Sequence, residues 1–359
     1  MTPVMKRTGL SLLIGSALLL APGIAAEPPP KSGEDRGTGL GVAVTPKNFP
    51  RHNGADLDAA FRLAREIGGH AVFIFQWSDF DPRIVRSVVT KCRQHGLTPI
   101  LGLSPTTLDQ GRKEIDCPPA VRDQAGERLS FAHPAVRRGY RRAARELARL
   151  HPPYLCLATE INLLAQHPPE YLRFARLYKE AYREVKGIAP ATRVFVSFQW
   201  DFARALDARE PNKLREHSRL FRIFQPELDL VGLTTYPAPH FPTPADIPMD
   251  YYASLYRHVD RKEAVLVMEV GWPSGGAGSP REQVAYIHRL PELMGPLQPA
   301  VIAWSLLHDV DHPAFDANLN TTGLLTGRSR KKPGFAAFRH LPWARRGATS
   351  RLAPASGPR

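Results

Sequence analysis

Glu269 and Glu160 are the side chains of this sequence whose setting suits proton transfer and nucleophilic attack. Glu269 follows Ala264-Val265-Leu266-Val267-Met268, and Gly271 and Pro273 break the run directly afterwards. A short apolar run of this kind, rich in β-branched residues, reads as a strand buried on both faces, which leaves the acid at its carboxyl tip. Glu160 ends a second run of the same design, Tyr154-Leu155-Cys156-Leu157-Ala158-Thr159. Two carboxyl groups facing each other across a cleft suit the cleavage of a glycosidic bond. One, protonated, expels the leaving oxygen, and the other, ionised, attacks the anomeric carbon. A separation of about 5 Å goes with retention of configuration, and about 6.5–9.5 Å with inversion.

The elements that must carry these residues alternate regularly. Strand-like runs fall at 40–44, 70–75, 98–102, 154–158, 193–197, 228–233, 264–268 and 301–305. Amphipathic helical segments separate them, at 55–67, 83–95, 134–150, 169–187, 211–224, 249–259 and 282–294, and a last one at 333–341 closes the series. Such alternation implies parallel strands joined by right-handed crossovers, and eight units predict a single-domain α/β fold, a (β/α)8 TIM barrel over residues 39–342. An open doubly wound sheet would bring a glycine-rich turn after the first strand, where this chain has Thr45-Pro46-Lys47-Asn48.

In a barrel, whatever follows each strand faces one mouth. That places Trp77, Thr159, Gln199, Trp200, Tyr236, Trp272 and Trp304 around the two glutamates as candidate substrate-binding residues. Aromatic faces stack on the apolar faces of sugar rings, while amides and hydroxyls bind sugar hydroxyls. Each tryptophan alone suits a lid or plug over the barrel end equally well; as a set they favour ligand stacking. Tyr236, on the strand beside Glu269, is expected to donate to that carboxylate and keep it ionised as the nucleophile. Glu160, between apolar Ala158 and Ile161 and facing that charge, is expected to keep its proton for the leaving group.

Composition narrows the setting. The 359 residues are 43% hydrophobic and 23% charged, ordinary for a globular enzyme. The formal net charge is +14 and the pI is about 10.0. Because Arg and Lys are spread over many helical segments, a dispersed basic surface is expected rather than a nucleic-acid site. Lys6, Arg7, the apolar residues 10–20 and the small residues before Glu27 form a signal-peptide pattern. It predicts cleavage near Ala26, a linker over 27–38, a secreted or periplasmic soluble monomer without membrane insertion, and a disordered basic tail over 343–359. The three cysteines give no disulfide framework, although Cys92 and Cys117 could pair in an oxidising compartment. Metal-type His and Cys spacings, phosphate-binding glycine loops and a serine nucleophile elbow are all missing, so neither metal nor cofactor is expected.

Several stretches resemble glycoside hydrolase clan A, the retaining (β/α)8 glycosidases. Residues 228–237, Leu-Asp-Leu-Val-Gly-Leu-Thr-Thr-Tyr-Pro, are similar to the clan's sixth strand and its active-site tyrosine. Residues 268–273, Met-Glu-Val-Gly-Trp-Pro, are similar to the seventh strand of its endo-galactanase and endo-glucanase branches. Ala303-Trp304-Ser305 looks like the eighth strand, and Gly323-Leu324-Leu325 with Lys332-Pro333 like the end of such barrels. The resemblance implies Glu269 as nucleophile, Glu160 as acid/base, Trp304 beneath the sugar, and a β-linked polysaccharide or oligosaccharide as substrate. Where the clan usually carries Asn before the acid/base, this chain has Thr159, as some mannan-active barrels do.

Overall fold

The computed structural model describes residues 37–108, 111–313 and 315–343. The expected signal segment, most of the linker, and the tail beyond Trp343 lie outside the described residues. Nine strands are present among the described residues: β1 (Gly39–Ala43), β2 (His70–Gln76), β3 (Thr98–Ser104), β4 (Tyr154–Cys156), β5 (Arg193–Phe195), β6 (Ser197–Gln199), β7 (Val231–Thr235), β8 (Val265–Val270) and β9 (Val301–Trp304). Every pairing is parallel, in the order β5-β4-β3-β2-β1-β9-β8-β7-β6.

The two ends of that order are halves of one barrel strand, parted only at Val196. The Ser197 amide donates to the Ala158 carbonyl at 2.9 Å, and the Gly232 amide to Val196 at 3.1 Å, so the ladder continues on both sides of the break. The sheet is therefore closed and eight-staved, the barrel that the alternation predicts. β1 through β9 are nearly all buried, as a parallel sheet wrapped in helices demands.

The helices run at Gly54–Ile67, Pro82–Gln94, Pro119–Ala125, Pro134–Ala148, Pro168–Ile188, Trp200–Arg209, Leu214–Arg222, Pro280–Met294, Ala317–Asn320 and Pro333–Arg339. Caps set several starts: Asn53 forms a capping box with Asp56, and Ser279 accepts from the Glu282 amide. The helix expected over 249–259 is absent, and only a 3-10 turn, Ala253–Arg257, is found there. Two adjacent aromatics explain this. Tyr251 and Tyr252 are held by partners on separate elements, Asp201 for one and Thr235 and Tyr286 for the other, and these tertiary bonds override the helical pattern of the segment.

Arg137, Arg141 and Arg145 pair with Glu180 and Glu184 of the neighbouring helix, so part of the basic surface is internally neutralised. Cys92, Cys117 and Cys156 are all free and buried, so the Cys92–Cys117 bridge does not form. No helix among the described residues is long and apolar enough to cross a membrane.

Candidate active site

Both glutamates reach the barrel mouth, each by a local irregularity. In β8, Leu233 of the neighbouring strand pairs with Val267, and the next residue, Thr234, pairs with Glu269. Met268 is thus the surplus residue of a β-bulge, a device that re-aims side chains at strand ends. A Cβ placed on Gly102 would lie 2.8 Å from Met268 Cε, so Met268 points into the barrel and needs the glycine opposite it. Glu269 follows it into the mouth above.

Glu160 has a left-handed backbone, φ +51°, which is costly for a residue with a side chain. Its amide donates to Ser197 Oγ at 3.0 Å, which fixes the turn. Asn162 adds a second tie, exchanging 2.8 and 2.9 Å bonds with the Gln199 backbone.

The carboxyl groups have unequal neighbours, but not in the expected sense. Tyr236 Oη donates to Glu269 Oε2 and lies 2.6 Å from Ser305 Oγ. Burial first, then the charge of Glu160, push the Glu269 carboxyl up to about 7, against the Tyr236 bond and the Arg112 charge. Glu160 instead meets a cation. Arg112 donates to Glu160 Oε2 from Nε at 3.1 Å and from Nη2 at 2.6 Å, while Thr234 Oγ1 donates to Oε1 at 2.9 Å. The two side chains are only 10% and 15% exposed, so this is an ion pair sheltered from water. The expected pattern of neighbours is therefore reversed: the charge partner sits on Glu160, and the carboxyl that burial pushes up is that of Glu269. Its physical reason is a cation that the sequence did not place.

Arg112 comes from the loop after β3. It too has a left-handed backbone, φ +47°, and its Nη1 donates to Ser104 Oγ at 3.0 Å. An antiparallel bridge between Thr106 and Ile115 draws the loop together. Nothing in the sequence distinguishes this arginine from the many others, apart from its place on an unusually long loop that follows a strand tip.

The four candidate tryptophans are buried to 1% or less, and they do not line the mouth. Trp77 stands edge-on to Tyr140 at 5.3 Å, and Trp200 donates its indole N–H to the Tyr251 carbonyl at 3.1 Å. Trp272 packs on Tyr286 at 5.3 Å. Trp304 lies between Tyr286 and Phe338 and donates to the Thr322 carbonyl at 2.8 Å. Strand alternation accounts for Trp304: Ser305 reaches Tyr236 inside the mouth, so the residue before it faces the helix layer. The expected stacking platform is thus corrected to a set of wedges between barrel and helices.

Gln199 is spent on structure, capping the following helix through the Phe202 amide and reaching Asp201 at 3.0 Å. Thr159 is 1% exposed, and its hydroxyl has no hydrogen-bond partner. Asp201, between the strand and helix layers, accepts from the Tyr236 amide at 2.7 Å, from Thr235 at 3.0 Å and from Tyr251 at 2.5 Å, and so holds the tyrosine that touches Glu269. Two cavities, about 380 and about 680 Å³, lie at the opposite barrel end and between the outer helices, and neither touches either glutamate. No cluster of metal-binding type occurs among the described residues.

No protein-family profile and no curated protein matches the sequence. Solved structures do match. A GH5_18 protein from Streptomyces cattleya, crystallised in complex with Manβ1-4GlcNAc, superposes with a TM-score of 0.64 at 17% identity, over 89% of this chain and 83% of that one. An exo-β-1,4-mannosidase from Opitutaceae bacterium strain TAV5 gives 0.65 at 16% identity, over 86% and 59%. A family 39 glycoside hydrolase from Bacteroides cellulosilyticus WH2 gives 0.56 at 18%, over 84% and 62%. The chain has the fold of the clan A glycoside hydrolases. At these identities, the likeness is one of architecture.

Proposed function

We propose that this protein is an exported glycoside hydrolase that cleaves a β-linked polysaccharide or oligosaccharide with retention of configuration. The observation that carries the reading is the convergence of Glu160, Glu269 and Tyr236 in one barrel mouth, with the tyrosine hydroxyl bonded to Glu269. In the first step Glu269 attacks the anomeric carbon, the bond to the leaving oxygen breaks, and Glu160 delivers its proton to that oxygen. In the second, Glu160 takes a proton from water, whose oxygen displaces Glu269 from the sugar. Tyr236, held by Asp201, orients Glu269 and stabilises its charge. The structural neighbours include an exo-β-1,4-mannosidase and a protein in complex with Manβ1-4GlcNAc, so β-mannosyl linkages belong in the first substrate panel.

A second reading, a carbohydrate-binding barrel without turnover, is favoured by one feature: Glu160 is engaged by Arg112. Screening the purified protein against β-glucans, galactans, mannans and uronic-acid polymers, beside Glu269→Gln, separates the two. Hydrolysis abolished by Glu269→Gln supports the enzyme. Binding without hydrolysis on every polymer supports the alternative.

A further inference from the structure

The Arg112–Glu160 pair conflicts with the acid role of Glu160, and the conflict points to a substrate class. If Glu160 is to deliver a proton, it must give up its charge while still beside a guanidinium that is 10% exposed. A sheltered cation stripped of its partner is strongly unfavourable. Arg112 cannot swing freely into water either, because Ser104 Oγ and its own left-handed backbone aim it at the mouth.

We propose, building on the glycosidase reading, that Arg112 is a specificity-determining residue that recognises a carboxylate on the sugar flanking the scissile bond, so that the substrate is a uronic-acid-containing β-linked glycan. The substrate carboxylate replaces Glu160 as the partner of Arg112. The guanidinium fork suits a planar carboxylate, on which two N–H groups can converge as they do here on Glu160 Oε2. Glu160, released, takes the proton held at Glu269, directly or through water. Glu269 is left ionised beside Tyr236, ready to attack. No proton enters or leaves the site in this exchange, and both carboxyls reach the charge states that double displacement needs. A neutral glycan leaves Arg112 on Glu160, and the acid is never armed. The formal net charge of +14 acts in the same direction, drawing an anionic polymer toward the protein.

The test uses the mature protein with matched substrates, a uronic-acid-bearing β-glycan and the same glycan after carboxyl reduction to the neutral sugar. The acidic form should be turned over with kcat/KM at least about a hundredfold higher. Arg112→Gln should bring the ratio close to one, by loss on the acidic form and by gain on the neutral form as Glu160 is freed, and Arg112→Lys should keep part of the preference. Equal or better turnover of the reduced glycan by the unmodified protein, or a preference that survives in folded Arg112→Gln, overturns the inference. Calorimetric titration of both glycans into the same proteins provides an arm independent of turnover. If no glycan is hydrolysed, the enzyme reading fails. The inference about Arg112 then stands if the acidic glycan alone binds and Arg112→Gln abolishes binding, and falls if the two glycans bind alike.

Discussion

Replacing Tyr236 by Phe removes one hydroxyl and should move the titration of the carboxyl group beside it. That hydroxyl donates to Glu269, whose pKa is already pushed up to about 7 by burial and by Glu160. A hydrogen bond to a charged acceptor contributes about 1.5–3 kcal/mol. At about 1.36 kcal/mol for each tenfold change in proton affinity, its loss raises the Glu269 pKa by about 1–2, to roughly 8–9. A nucleophile must be ionised, so the acidic limb of the rate profile should climb by the same amount. At pH 7 the ionised fraction falls about five- to fiftyfold, and activity returns as the pH passes about 9. The assay is the pH dependence of kcat/KM on an activated aryl β-glycoside, whose leaving group needs no proton. Carbon-13 NMR titration of the glutamate side chains, assigned through Glu269→Gln, gives the same quantity without substrate. An acidic limb that stays near 7 or moves down in Tyr236→Phe would refute the reasoning.

Further outcomes follow from the same contacts. A carboxyl raised to about 7 in the fold favours its protonated form, so its share of stability is intact below the ordinary Glu range and is lost as the pH rises through about 7. Glu269→Gln should therefore raise the melting temperature at pH 8 and leave it nearly unchanged at pH 4, and a pH-independent difference would contradict the titration. Trp304→Phe should lower stability by about 1–2 kcal/mol, through the lost Thr322 bond and looser packing on Phe338, without altering KM. A higher KM at full stability would place the indole in the mouth after all. Mass spectrometry of the exported protein should find a new N-terminus within a few residues of Glu27, and an intact Met1 on a membrane-bound product would contradict the signal reading.

The barrel was legible because its strands are apolar runs broken by Gly and Pro, and such runs keep their meaning regardless of what packs on them. Both strand-tip glutamates and Tyr236 were legible for the same reason. What failed depended on facing. A tryptophan after a strand can turn inward or outward, and one residue of register decides which, as Ser305 and Trp304 show. The bulge at Met268 changes that parity silently. Arg112 was illegible because its significance arises in three dimensions, from Ser104 behind it and Glu160 in front. The missing helix at 249–259 was lost to Tyr251 and Tyr252, whose hydroxyls are claimed by distant partners.

The surplus residue in β8 also makes the site tolerant of a change in chain length. Leu233 pairs with Val267 before the bulge and Thr234 with Glu269 after it. Excising Met268 therefore leaves both pairings in register, and the carboxylate stays where it is. What disappears is the floor beneath it, the thioether opposite Gly102, and a methionine-sized space opens under the carboxylate, which water entering from the mouth can fill. The deletion would act as a drain, hydrating Glu269 and returning its titration toward the ordinary glutamate range while the geometry of attack is preserved. A deletion variant still titrating near 7 would mean that the charge of Glu160, rather than dryness, sets the proton affinity of Glu269.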